Sequence, residues 1–315
     1  LQVPRHHFNS RRRLIVTLST TAVLAVFGVS AMFHVSYSSV FYSRALRKLY
    51  SPQNVSHLLL KNRTYHTGIP YIINQEKLCG SKAVDYLFIV MSAVENFENR
   101  IAIRETWGKE VTVFARGRLL FVVGRDDDGP QRSQLEKESY VSMDIVQVDL
   151  LDIAEHHVLK TVTMLQWATK HCHQAKFVIK AKDETFVHVA NLLKTTHSKS
   201  EDAVYADTTG PLFVVRGVNQ KMITKMKAHA QDGFSSGMYI IGGRAVELLY
   251  KATGHVKPIH PDDSYLTELC AVSVGVPRFR ITGIDGNGYY SNCMANSALY
   301  IHPVTARRIQ ELWRD

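Results

Sequence analysis

Apolar residues along this chain fall into short runs separated by polar stretches with helical spacing. Val84 to Val94 reads VDYLFIVMSAV and Arg118 to Gly124 reads RLLFVVG, both rich in β-branched and aromatic residues and each followed by a polar helical stretch. Asp144 to Leu150 and Lys176 to Ala181 repeat the pattern, with a helix predicted between them from His156 to Cys172. Unbroken apolar runs, without strict alternation, indicate strands covered on both faces. Strands alternating with helices predict an α/β fold built on a mixed, mostly parallel sheet flanked by helices. Ligands of such sheets bind beyond the carboxyl ends of the strands.

The first 75 residues have a different texture. Leu14 to Phe33 holds 20 residues without a charge, just after Arg11, Arg12 and Arg13. At about 1.5 Å per residue such a helix crosses a hydrocarbon core of roughly 30 Å. Residues 14–35 are therefore expected to form a transmembrane anchor, with 1–13 a cytoplasmic tail, 36–75 a basic, polar stem and 76–315 the globular domain. Three readings compete: a secretory signal peptide cleaved near Val29-Ser30-Ala31, a mitochondrial presequence, and a buried core helix. The first has a shorter apolar region and the second is amphipathic. The dense arginine cluster before the span favours a cytosolic N-terminus, hence a luminal or extracellular domain. Acceptor triplets for N-glycosylation at Asn54 and Asn62, just past the span, agree with that side.

Charge follows the same division. Of 38 basic residues, nine precede Glu76, the first acid, so 29 face 28 acidic ones in the remainder, and the overall charge of +10 belongs to the N-terminal segment. A nearly neutral domain does not argue for a nucleic-acid partner. Four cysteines, Cys79, Cys172, Cys270 and Cys293, suit two disulfides in an oxidising compartment, with three possible pairings; four reduced thiols is the reading for the opposite orientation.

Two acidic clusters invite chemistry. Lys182-Asp183-Glu184 closes the apolar run Phe177 to Ala181, so its carboxylates emerge from the end of a buried strand, where one or two carboxylates plus phosphate oxygens can hold a divalent ion. On an extended chain Lys182 and Glu184 would share one side and Asp183 would point to the other. Asp262-Asp263 follows Pro261 at an expected helix start, as an N-cap or as a general base. Asp126-Asp127-Asp128 reads as a loop that caps the next helix, and the pairs around His156 and His171 as surface or capping residues. Gly283, Gly286 and Gly288 lack the following helix that a phosphate cradle needs.

Several collinear segments resemble the β-1,3-galactosyltransferase family of inverting glycosyltransferases, which includes β-1,3-N-acetylglucosaminyltransferases and is related to Fringe. The likeness covers roughly residues 84 to 280. Its most specific piece is the run from Asn99 to Gly108 (NRIAIRETWG), similar to R-x-A-I-R-x-T-W-G; Phe121 to Gly124, Leu159-Lys160-Thr161, Trp167 and Cys172 follow at the family spacing. Lys182-Asp183-Glu184 stands in the place of a D-D-D metal motif, and Asp262-Asp263-Ser264-Tyr265 is similar to E-D-V-Y.

The resemblance implies a GT-A-like fold, a UDP-sugar donor, Mn²⁺, and transfer of galactose or N-acetylglucosamine to a glycoprotein or glycolipid hydroxyl in a Golgi type II membrane protein. It carries Asp263 over as catalytic base, Asp183 and Glu184 as metal ligands, and Arg100, Arg104, Asp183 and Glu184 as donor-binding residues. It also implies Cys79–Cys172 and Cys270–Cys293 as disulfides. The chain departs from the pattern at Lys182, a cation where the family has the first Asp, at Glu184 for Asp, at Ser264 for Val, and in the shortened Ser236-Gly237-Met238-Tyr239 segment. An active transferase with a modified cation site, and a luminal binding or chaperone-like protein that kept the fold, are both compatible with those departures.

Overall fold

The computed structural model describes residues 68–80, 83–126, 131–206, 237–281, 283–285 and 292–314. The expected anchor, Asn54 and Asn62 lie outside them; among the described residues no helix is long and apolar enough to cross a membrane.

In chain order the elements are β1 (Tyr71–Ile73), β2 (Tyr86–Ser92), α1 (Phe97–Glu105), α2 (Trp107–Phe114), β3 (Gly117–Arg125), α3 (Arg132–Ser142) and β4 (Ile145–Leu151). A 3-10 turn then leads into α4 (His157–His171), β5 (Phe177–Lys182), β6 (Phe186–Val187), α5 (Val189–Thr196) and β7 (Val204–Ala206). After residue 237 come β8 (Met238–Gly242), α6 (Gly243–Thr253), a helical segment α7 over 262–273 with a π-helical middle, β9 (Arg278–Arg280), β10 (Ile284–Asp285), α8 (Asn292–Ser297), β11 (Tyr300–His302) and α9 (Ala306–Arg314). Eight strands form one sheet in the order β1-β4-β3-β2-β5-β8-β7-β9, and β10-β11-β6 form a small second sheet. Pairs β4–β3, β3–β2, β2–β5 and β7–β9 are parallel; the other three in the large sheet are antiparallel.

Four of the expected strands and the long helix match β2, β3, β4, β5 and α4 to within two residues. The reason is burial on both faces. In β2, Leu87 and Ile89 enter a core with Val158, Val162 and Leu165 of α4, while Phe88 and Val90 enter a second core with Ile103, Trp107 and Val111. Each such side chain contributes about 1.5–3 kcal/mol of burial, which selects apolar residues at every position. Gly108, at the start of α2, answers to a close approach: a Cβ there would lie 2.7 Å from the Ile103 carbonyl oxygen and 2.8 Å from Leu119 Cδ2.

Two expectations change. The last part of the expected stem belongs to the folded unit, because β1 pairs antiparallel with β4 and the Ile69 amide donates to Gln166 Oε1 at 3.0 Å. Three residues are too few to show a period. Of the two expected disulfides, Cys79–Cys172 is formed, tying the segment before β2 to the end of α4, whereas Cys270 is a buried free thiol on α7. The side chain of Cys293 is outside the described residues.

Replacing both Cys79 and Cys172 by alanine should lower stability by about 2–4 kcal/mol, the usual worth of a bridge over a long loop. Denaturant unfolding of the double variant measures it. Cys270, whose thiol burial pushes up to about 12, should resist iodoacetamide until the chain is unfolded.

Candidate active site

Strand order reverses direction at β2: the chain moves outward to β3 and β4, then returns to place β5 on the other side. Crevices open at such reversals, beyond the carboxyl ends of the strands. A cleft of about 250 Å³ lies there. Its walls are Met91, Ser92 and Ala93 at the end of β2, Asn96, the α4 residues His157, Lys160 and Thr161, and Asp152 before them. Lys180, Lys182, Asp183, Glu184 and Asp262 complete it.

Asp183 sits where the sequence motif placed it, but Lys182, Asp183 and Glu184 all face the cleft. The expected alternation fails because β5 ends at Lys182 and the next two residues form a turn. Asp183 Oδ2 accepts hydrogen bonds from Ser92 Oγ at 2.7 Å and Asn96 Nδ2 at 2.8 Å. Burial raises its pKa, against the lowering effect of those bonds and of the Lys160 and Arg100 charges. Glu184 is exposed, and its backbone carbonyl accepts from the Val304 amide at 2.8 Å.

Across the cleft, Lys180 is 1% exposed and its Nζ donates to Asp263 Oδ1 at 2.7 Å, with Asp262 Oδ2 at 3.3 Å. Asp262 also accepts from Thr161 Oγ1 at 2.7 Å. Burial alone would lower the lysine's pKa, yet the two carboxylates hold it above its ordinary value. Burial likewise would raise Asp262, and Lys180, the Thr161 hydroxyl and Lys182 together hold it below the usual carboxylate range. Of the pair, Asp262 lines the cleft, and Asp263 accepts from Lys180, itself a cleft residue. Neither acid caps α7: the N-cap position is Pro261.

Arg100 and Arg104, expected at the donor, do not line the cleft. Arg100, 1% exposed, forks onto Glu138 at 2.9 and 2.7 Å, and it also donates to Ser92 Oγ and the Val94 carbonyl. Arg104 forks onto Asp144 at 2.8 Å and stacks 4.7 Å over Phe121. Four residues apart on α1, both reach Glu138. Trp107 extends the same frame, its Nε1 donating to the Thr185 carbonyl at 3.1 Å. The R-x-A-I-R-x-T-W run is thus a clamp whose Arg100–Ser92–Asp183 chain reaches the cleft only at second hand.

The lysines were the residues least visible beforehand. Lys180 inside the run Phe177-Val178-Ile179-Lys180-Ala181 was itself a signal, because a charge in a buried strand requires a partner. Lys160 is held the same way, between Asp152 Oδ1 at 2.8 Å and the Ser92 carbonyl at 2.6 Å. Of the remaining motifs, His156 Nδ1 meets the Leu151 carbonyl and His171 packs on Trp167. Asp127, Asp128, Gly286 and Gly288 lie outside the described residues.

The residues present do not fit the divalent-cation site implied by the motif. Among the described residues no three of His, Cys, Asp or Glu converge to hold a metal ion. Asp183 is engaged by two donors, and lysine side chains share the walls with the acids.

A mixed sheet flanked by helices, with a cleft at its reversal point, agrees with a GT-A-like fold. The family model described as Galactosyltransferase matches residues 98–282, more than half of the chain, which belongs to that family and is a hexosyltransferase. It is 28% identical over 258 residues to beta-1,3-galactosyltransferase 1 of Mus musculus, covering 78% of each chain. It is 30% identical over 260 residues to UDP-GlcNAc:betaGal beta-1,3-N-acetylglucosaminyltransferase 8 of Mus musculus, covering 75% of this chain and 64% of that one. It is also similar to the solved galactosyltransferase LgtC in complex with donor and acceptor sugar analogs, at 13% identity and a TM-score of 0.39, covering 73% of this chain and 95% of that one. That likeness is too loose to bear on the site.

Glu138→Gln should cost about 3 kcal/mol in chemical denaturation, because it leaves the buried Arg100 charge uncompensated. His302, whose Nδ1 lies 3.2 Å from both Thr185 Oγ1 and the Glu184 carbonyl, has its pKa lowered to about 4 by burial first and then by Lys182. Between pH 6.5 and 4 the unfolded chain binds a proton there that the folded chain refuses, so stability rises with pH across that window. On acidification from pH 7 to 4, wild type should lose up to about 3 kcal/mol more than His302→Gln.

Proposed function

We propose that this hexosyltransferase takes galactose or N-acetylglucosamine from a UDP-sugar and places it on a glycan hydroxyl of a glycoprotein or glycolipid in β-1,3 linkage, with inversion. The relatives' names supply the donor and linkage classes. The observation that carries the reaction is the Asp262/Asp263 pair, fixed by Lys180 at the cleft that the turn bearing Asp183 and Glu184 also lines.

In this reading the acceptor hydroxyl gives its proton to Asp263 as its oxygen attacks the anomeric carbon. The bond from that carbon to the diphosphate oxygen breaks, and UDP leaves with the electron pair. One base suffices for a single displacement; a second carboxylate nucleophile would be needed for retention. Asp262, held below the usual carboxylate range by Lys180, Thr161 and Lys182, serves to orient Lys180. Asp183 is positioned by Ser92 and Asn96 to meet the donor.

A Golgi type II membrane setting belongs to the same proposal. Its support is the uncharged stretch from Leu14 to Phe33 and the Cys79–Cys172 bridge, which suits an oxidising lumen. A family member that binds without transferring is not favoured, since the acids across the cleft and the arginine–tryptophan clamp are all in place.

With purified protein, both UDP-sugars and a panel of galactose-terminated acceptors, Asp263→Asn should lower kcat by about 10²- to 10⁴-fold. Asp262→Asn should cost less than about tenfold, and donor KM should change little in either. NMR of the product reads the anomeric configuration. Transfer that survives Asp263→Asn at near wild-type rate removes the base assignment, and an α-linked product removes inversion.

A further inference from the structure

Where a transferase of this kind would need positive charge against a diphosphate, this cleft presents lysines. Lys160, Lys180 and Lys182 all line it. Lys160 meets Asp152 and the Ser92 carbonyl, and Lys180 meets Asp262 and Asp263. Lys182 differs in position. It ends β5 beside the turn bearing Asp183 and Glu184, it is half-buried, and its charge acts on both Asp262 and His302.

A divalent ion held by Asp183 or Glu184 would stand next to this ammonium. Two positive charges on one plus one, about 4 Å apart, repel by several kcal/mol even at an effective dielectric constant of about 20. The same field attracts phosphate oxygens, and lysine is a compact point charge with three rotatable donors suited to them.

We infer that Lys182 itself binds the donor's diphosphate and supports its departure, so that transfer proceeds without a divalent cation. This rests on the UDP-sugar reading above. As the bond from the anomeric carbon to the diphosphate oxygen breaks, the electron pair stays on that oxygen and the Lys182 ammonium donates a hydrogen bond to it. The only proton that moves is the acceptor's, to Asp263.

The test uses the full chain in detergent. UDP is titrated calorimetrically in EDTA and then with added Mn²⁺, and transfer from UDP-galactose and UDP-N-acetylglucosamine is followed under both conditions. UDP affinity in EDTA should lie within about threefold of that with Mn²⁺, and transfer should persist in the chelator. Lys182→Met should weaken UDP binding by about tenfold or more in EDTA, the scale of a lost charged hydrogen bond, while Lys182→Arg retains most of it. Thermal unfolding of both variants checks that they fold, and the wild-type chelator comparison needs no variant at all. UDP binding or transfer by wild type only when Mn²⁺ is present would overturn the inference and leave the donor reading standing, as would an unchanged affinity in Lys182→Met. No UDP binding and no transfer with or without Mn²⁺ would overturn the donor reading, and this inference with it.

Discussion

An ammonium group with almost no contact with water ties the two sides of this molecule's cleft together. Lys180 rises from the middle of β5, and burying its charge costs several kcal/mol unless carboxylates meet it. Asp262 and Asp263, at the first turn of α7, meet it at 3.3 and 2.7 Å. The pairing joins elements 83 residues apart, with Tyr239 of β8 beneath the ammonium at 5.1 Å. It also bears on the protonation of the site: Asp262 is held below the usual carboxylate range where burial alone would raise it. Without that contact the two acids lose the partner that orients them.

A second network does the same for the opposite wall. Arg100 and Arg104 converge on Glu138, and Arg100 continues through Ser92 Oγ to Asp183. The segment that most resembles the transferase family therefore contributes through architecture. It fixes the end of β2 against the end of β5, which is where the crevice opens. Gly237 shows how tightly the far side is closed, since a Cβ there would lie 2.3 Å from His302 Cβ.

Much of the fold was legible along the chain, for local reasons. Strands buried on both faces must be apolar at every position, so β2 to β5 announced themselves as runs, and α4 as the periodic stretch between two of them. β1 did not, because three residues carry no period. The free thiol of Cys270 was equally hidden, since cysteine spacing does not say which sulfurs approach.

The site divides along the same line. Sequence by itself determined the class of chemistry: acids after a buried strand and two acids at a helix start. Tertiary structure decided who meets whom. Asp262 and Asp263 met at Lys180, Arg100 and Arg104 went to Glu138 and Asp144, and three lysines came to line the cleft with the acids where a metal had been expected. Burial pattern is written in neighbouring residues, whereas an ion pair between β5 and α7 depends on how the whole sheet brings distant segments within 3 Å.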